Sequence, residues 1–331
     1  MDQNRLRGLR HEAGLTQGEL AARAGVSRQL VGAVEAGRHL PRVDAGLALA
    51  AALGVDVRQL FGAEQPASDV VSGLMPQEGS AVRLGWVGER LVTTPARIGG
   101  DGWDSADAVV EGGRAVPFGD TNPGAVVAGC EPGLETVEHL LRQGGSGAVA
   151  VATSSGAALD ALGAGRVHAA VVHGPVGSLP SSPQTVVRFR LTGWRVGLAL
   201  PPEIESSWWQ KLLDGELPVV QREPGAAVQR TLEEAVGGTT PKGPRVGGHV
   251  IAARHGMAAG VPALTVEPAA LAVGAGFHPL DRHGAELWVA DEWLNDRGVE
   301  QAIDLISSSR FRRRLQAVGG YDLDGIGSRV A

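Results

Sequence analysis

The side chains in this sequence that have the chemistry to hold a small molecule are few and widely spaced. Arg222 stands just before a Pro-Gly pair in "VVQREPGAAVQ" and offers either a charged contact to a ligand or one half of a surface ion pair. Ser154 and Ser155 run into Gly156, which suits a helix N-cap as well as a hydroxyl contact. Cys130 is the only cysteine, which excludes an intramolecular disulfide and argues against a Cys-based zinc site. It reads as a small buried apolar residue more readily than as a ligand or nucleophile. His168 and His173 bracket one apolar run, and their odd spacing puts them on opposite faces of a strand, so they share no metal. Glu267, after "LTV", either faces a cleft or starts a helix. The basic run "RFRRR" at 310–314 reads as a solvated helix face.

Catalysis has little support in this inventory. No G-x-S-x-G turn, H-E-x-x-H pair, paired-cysteine motif or G-x-x-x-x-G-K-[ST] loop occurs. The expectation is a protein that is not an enzyme and needs neither metal nor cofactor.

The elements that would position these residues follow from composition and pattern. With 331 residues, 43% apolar and 20% charged, the chain suits two or three globular domains. Its net charge of −6 argues against a surface that coats nucleic acid throughout. Residues 1–62 differ: eight arginines face six acids there, so any affinity for phosphate is local to that segment. A polar N-terminus and the absence of a membrane-length apolar run point to a cytoplasmic protein without membrane contact.

Within residues 1–62 the pattern predicts five short helices. Thr16 and Glu19 form a capping box, Gly25 ends the helix they start, and Ser27 caps the next, on which Leu30, Val31 and Val34 make an apolar stripe. A later helix at about 43–53 contributes Leu47, Leu49, Ala50 and Leu53. Residues 63–123 read as a linker with a small β segment, including a hairpin around Gly88 and two tryptophans, Trp86 and Trp103, suited to packing it onto a neighbour. From 124 to 331 strands and helices alternate with short loops, which predicts parallel strands flanked by helices. "VVRFRLTGWRVGLALP" (186–201) and then "ELPVVQREPGAAVQRTLEEAV" (216–236) read as a crossing strand region into a second α/β lobe containing "FHPL", a return strand "AELWVADEW" and one final helix from Gly298 to about Val318. Two lobes joined in this way leave a cleft.

The run from Leu6 to Val55, "LRGLRHEAGLTQGELAARAGVSRQLVGAVEAGRHLPRVDAGLALAAALGV", resembles the phage-repressor (Cro/XRE-type) helix-turn-helix family. That resemblance implies a phosphate contact at Gln17 and base reading by Arg28 and Gln29, with Ser27, Arg38 and Arg42 meeting the DNA backbone. An arginine in that first turn suits guanine and a glutamine suits adenine. Arg10 and Glu35 are the family's internal pair. Residues 124–331 resemble the cytoplasmic, type II periplasmic-binding-protein-like domain through "AGCEPGL", "SSGAALDALGAGRVHAAVVHG" and "VVQREPGAAVQRTLEEAV". This second resemblance implies a cleft lined by Cys130, Ser154, Ser155, His173, Arg222 and the segment Gly225 to Val228, to which Glu267 is added as the helix start that could face it. The family's hydroxyl- and arginine-bearing run is replaced here by Gly225, Ala226, Ala227, Val228 and Gln229, which disfavours a small oxyanion such as molybdate.

The fold expected is therefore multidomain, an all-α helix-turn-helix domain followed by a two-lobed α/β binding domain. The function expected is a sequence-specific regulator of transcription, a homodimer on double-stranded operator DNA, whose second domain senses an intracellular small molecule. The alternative is a DNA-tethered scaffold whose binding-protein-like domain contacts a protein partner.

Overall fold

The computed structural model describes residues 5–55, 57, 60, 69–71, 76–96, 98, 99, 102, 103, 106–224, 226–237 and 241–330. The chain divides into two compact units, 1–67 and 68–331.

In the first unit, helices α1 (Arg5–Glu12), α2 (Gln17–Ala24), α3 (Arg28–Glu35) and α4 (Val43–Leu53) enclose Leu6, Leu15, Leu20, Val31 and Leu49. Local chemistry sets the boundaries. The Thr16 hydroxyl accepts the Glu19 N–H while the Glu19 carboxylate accepts the Thr16 N–H, satisfying two otherwise orphaned donors at the start of α2. Gly25 closes α2 at φ 64°, a conformation that costs a residue with a Cβ, and so lets the chain reverse into α3 within three residues. The Ser27 hydroxyl then accepts the Leu30 N–H at 3.1 Å. Leu47 departs from expectation: it is 53% exposed, while Leu49 and Ala50 are buried. Two residues along a helix is about 200° of rotation, so Leu47 and Leu49 cannot share a face. Beyond α4, residues 57 and 60 are helical, and 56, 58, 59, 61 and 62 lie outside the described residues.

The second unit begins with a five-stranded sheet, ordered β1-β3-β2-β6-β7, from β1 (Asp69–Val70), β2 (Ala81–Val87), β3 (Arg90–Pro95), β6 (Ala108–Glu111) and β7 (Arg114–Pro117). Short strands β4 (Ile98–Gly99) and β5 (Gly102–Trp103) pair with each other. The hairpin at Gly88 forms as β2 and β3. Val71, Val87 and Val92 share a core with Val126, Val149 and Val151, so this sheet is packed onto the lobe that follows. Gly85 permits the closeness: a Cβ there would meet the Val126 side chain at 2.5 Å. The Trp86 indole donates to Thr121 Oγ1; the Trp103 side chain lies outside the described residues.

The main sheet runs β14 (Ala263–Val266), β11 (Val186–Leu200), β15 (Gly276–Ala290), β10 (Ala169–Pro175), β8 (Val126–Gly129), β9 (Val149–Ala152), with β16 (Tyr321–Asp322) also paired to β11. Strands β8 (Val126–Gly129), β9 (Val149–Ala152) and β10 (Ala169–Pro175) are parallel and are linked through helices α5 (Leu134–Gln143) and α6 (Ser155–Gly163). Strand β11 (Val186–Leu200) is the expected crossing strand, but of the described residues in the second expected stretch, 216–236, only Gln221–Arg222 is strand and Ala227–Ala235 is helical. The partner of β11 is a surprise: "FHPL" and "AELWVADEW" are one strand, β15 (Gly276–Ala290), not two. The break suggested by Pro279 and Gly284 is absorbed as register irregularities, including one beside Gly197, where a Cβ would meet the His278 carbonyl oxygen at 2.0 Å.

Beyond the crossing lie α7 (Trp208–Leu213), β12 (Gln221–Arg222), α8 (Ala227–Ala235), β13 (Arg245–Val246), α9 (His249–Ala259), β14 (Ala263–Val266) and α10 (Glu267–Ala272). The final helix is also two, α11 (Arg297–Ser307) and α12 (Ser309–Val318), because Ser308 turns extended and its hydroxyl caps α12 through the Phe311 N–H. In α12, Phe311 is fully buried while the arginines around it are not, as the solvated-face reading of "RFRRR" requires.

Candidate functional site

Two surfaces carry candidate chemistry, one in each unit. In the first unit the opening turn of α3 presents Arg28 and Gln29 to solvent, with Arg38 and Arg42 exposed in the loop that follows. A concavity lined by Thr16, Gln17 and Arg28 lies beside them. Ser27 spends its hydroxyl lone pair on the cap and keeps its O–H to donate. Gln17 is half committed: its side-chain amide donates to Glu35 Oε2 at 2.7 Å, tying α2 to α3, which leaves one N–H for a phosphate. Beneath this surface Arg10 grips Glu35 through two nitrogens, at 2.6 and 3.2 Å, and donates a third bond to the Leu15 carbonyl. Burial pushes the Glu35 carboxyl upward, but the bonds from Arg10 and Gln17 outweigh it and hold the group below the usual carboxylate range.

In the second unit a cleft opens where β8, β10, β12 and the starts of α6, α8 and α9 converge. A cavity of about 410 Å³ is walled by Cys130, Ser154, Ser155, His173, Arg222 and His249. A second, of about 790 Å³, shares Cys130, Ser154, Arg222 and His249 and extends along a more apolar wall toward Leu134, Val246 and Ile251. These volumes suit a metabolite-sized ligand. Each wall residue has a local cause. Cys130 follows the last residue of β8, His173 is near the end of β10, and Arg222 ends β12, so all three emerge where strands meet the crevice. Gly248, at φ 79°, makes the turn that starts α9 at His249.

Arg222 organises the cleft. Its guanidinium is 1% exposed and paired with Glu223 through two 3.0 Å bonds. A third nitrogen lies 2.6 Å from His249 Nδ1, and NH2 is 3.9 Å from Cys130 Sγ. Since a guanidinium only donates, Nδ1 must be the acceptor and the imidazole proton sits on Nε2, which is buried without a partner. Burial first, and the Arg222 charge second, hold His249 well below the ordinary imidazole value. Burial, reinforced by His283 and Arg222, lowers His173 to about 3. The Cys130 thiol is pushed up by burial despite Arg222 nearby. All three are therefore uncharged at neutral pH, and the pairing with Glu223 neutralises Arg222. His173 Nδ1, His283 Nδ1 and Trp194 Nε1 are also buried and unpartnered, and the His173 ring lies 5.7 to 6.1 Å from the rings of Trp194, His283 and His249.

Of the residues predicted for the cleft, Cys130, Ser154, Ser155, His173 and Arg222 are brought together. The two serines divide the roles left open: Ser154 caps α6 through the Ala157 N–H, and the Ser155 hydroxyl accepts the His173 N–H at 3.2 Å. Gly225 lies outside the described residues. Glu267 is placed elsewhere: its carboxylate is held by Arg195 of β11 and lines neither cavity. His168 and His173 do face opposite ways, His168 against Trp293 with its Nδ1 accepting the Val126 N–H. His249 and Glu223 were missed, and "GGHVIAARHG" gives no sign that its first histidine is buried beside an arginine. Glu131, fully buried beside Cys130, was missed too. Burial raises its carboxyl to about 7, against bonds donated by Thr192, Gly133 and Tyr321, the last of which ties the C-terminal segment to the cleft floor. The trio Cys130, His173 and His249 places potential metal-ligand atoms within 4.8 Å of one another.

Comparison with known proteins gives two matches in the chain. Residues 4–60 match a helix-turn-helix domain, and residues 137–307 match a PBP superfamily domain. Among solved structures, the restriction-modification controller protein C.AhdI from Aeromonas hydrophila is 42% identical, over 18% of this chain and 89% of that one, with a TM-score of 0.17. A putative phosphate ABC transporter substrate-binding protein from Clostridium perfringens is 11% identical over 59% of this chain and 97% of its own, at a TM-score of 0.44. A LysR substrate-binding domain from Wolinella succinogenes is 12% identical over 59% of this chain and all of its own, at 0.40. No curated protein matches the chain. No described helix is long and apolar enough to cross a membrane.

Proposed function

Because the chain belongs to the PBP superfamily through residues 137–307 and opens with a DNA-binding helix-turn-helix domain of XRE type, we propose that it is a sequence-specific transcription regulator answering to an intracellular small molecule. Arg28 and Gln29 read base edges in the major groove; Gln17, Ser27, Arg38 and Arg42 hold the phosphates on either side. One such module covers little DNA, so two copies in a homodimer, spaced about one helical turn apart, supply the affinity.

The observation that carries the ligand half is the cost built into the cleft. A guanidinium 1% exposed and several buried ring nitrogens without partners are expensive in a core whose only task is to pack. A ligand bearing hydrogen-bond acceptors recovers that cost. The apolar extension, whose walls set Glu131, Glu135 and Glu223 against Arg222, favours a polar, weakly charged metabolite over a bare oxyanion. Ligand that prefers one arrangement of the lobes then shifts the population competent for operator.

The test is a thermal-shift screen of the full chain against metabolites. A ligand of the folded cleft raises the melting temperature, and Arg222→Ala removes that rise while leaving DNA affinity of the empty protein in place. A screen in which no compound moves the wild-type transition contradicts the sensor reading and favours a protein partner at the cleft.

A further inference from the structure

Cys130 Sγ and one ring nitrogen each of His173 and His249 lie within 4.8 Å of one another, on three separate elements. His173 Nδ1 and His249 Nε2 are buried and have no hydrogen-bond partner in the structure, so the convergence is more than a cysteine among histidines. The donor set is one sulfur and two imidazoles, with no carboxylate among them. Magnesium and calcium seek oxygen; thiolate and imidazole suit soft or borderline ions. Charge narrows the choice. A thiolate and a monovalent cation cancel and the Arg222–Glu223 pair is already neutral, whereas a divalent ion leaves one uncompensated positive charge next to that pair, whose guanidinium is 3.9 Å from the sulfur.

We propose that Cys130, His173 and His249 form a buried site for a monovalent thiophilic cation, Cu(I). The ion replaces the Cys130 thiol proton, which leaves to solvent, and no oxidation state changes. Metal–sulfur and metal–nitrogen bonds of about 2.3 and 2.0 Å set donors about 3.5–4 Å apart, so the trio closes by about an ångström. Arg222 must yield. Coordination through His249 Nε2 moves the ring proton to Nδ1, against an arginine N–H 2.6 Å away, and coordination through Nδ1 displaces that N–H directly. Glu223, already bonded to the guanidinium and partly exposed, carries Arg222 aside. Loading the site therefore breaks the Arg222–His249 contact. This inference uses the cleft alone and holds whether or not the first unit reads DNA.

The test is anaerobic titration of the reduced full chain with Cu(I) against a chromophoric Cu(I) chelator. Wild type is expected to withdraw one equivalent. Cys130→Ser should weaken binding by at least a hundredfold, and His173→Gln and His249→Gln by at least tenfold, while Arg222→Met, which removes the competing cation, strengthens it. X-ray absorption of the loaded wild type, which needs no variant to fold, should show one sulfur with nitrogen neighbours. Failure of wild type to withdraw an equivalent, retention of the same affinity by Cys130→Ser, or a shell without sulfur overturns the proposal and leaves the regulator reading standing. Loss of operator selection leaves this site untouched.

Discussion

Both units bury an arginine beside a glutamate, yet they treat it differently. In the first, Arg10 and Glu35 are closed on every side: two bonds join them, Leu15 and Gln17 take the remaining groups, and among the described residues of that unit no buried side-chain nitrogen or oxygen is left over. In the second, Arg222 and Glu223 are paired while four ring nitrogens around them, on His173, His249, His283 and Trp194, have no partner. A saturated network holds elements at fixed angles, which is what two helices that dock on DNA require. An unsaturated one holds capacity in reserve, which is what a binding cleft requires.

The contrast predicts opposite responses to mutation. Glu35→Ala strands a buried guanidinium and should destabilise the first unit by about 3 kcal/mol, read as an early melting transition; a loss below about 1 kcal/mol would mean that the pair is surface-like. The second unit should be the more sensitive to mild acid. Burial, only partly opposed by Asp296, lowers His168 to about 4 from an ordinary value near 6.5, so between those pH values the unfolded chain binds more protons. The stability contribution of neutral His168 is complete above about pH 6.5 and falls by up to about 3 kcal/mol as the pH drops to 4. His168→Gln should flatten that part of the denaturation profile, and an unchanged slope would refute the assignment. On the proposed DNA surface, Arg28→Ala should weaken specific binding by about 1–3 kcal/mol with no change in melting temperature. The smallest effect is also the most telling: His173→Leu should leave stability unchanged or raise it by about 1 kcal/mol, because no protein hydrogen bond to Nδ1 is lost. A large loss of stability there would make the open cluster structural.

Legibility in the sequence also differed between the units. The helix boundaries around Thr16, Gly25 and Ser27 were readable because caps are local, decided within three or four residues. Leu47 is exposed because the helical angle, not apolar composition, decides which side chains of α4 face inward. In the second unit, alternation revealed β8, β9, β10 and the helices between them. It failed at β15, where proline and glycine suggested a break that neighbouring strands bridge, and at Ser308, a cap hidden within an apolar periodicity. The cleft was half legible: Cys130 and His173 sit at ends of strands that pattern located, whereas Arg222 ends a two-residue strand, β12, that pattern does not mark. His249 and Glu267 were decided by partners far along the chain, Arg222 for one and Arg195 for the other, and no local signal encodes such pairing.

The central claim is that the exposed turn of α3 reads sequence while the chemistry of the second unit stays out of the groove. Selection from a pool of random duplexes by the full chain, sequenced beside an identical selection with Arg28→Ala and another with Arg222→Ala, tests it most directly. The account predicts one enriched motif with two related half-sites for wild type and Arg222→Ala, and its loss or relaxation at one base for Arg28→Ala. No enrichment by wild type, or the same motif in full strength from Arg28→Ala, would contradict it.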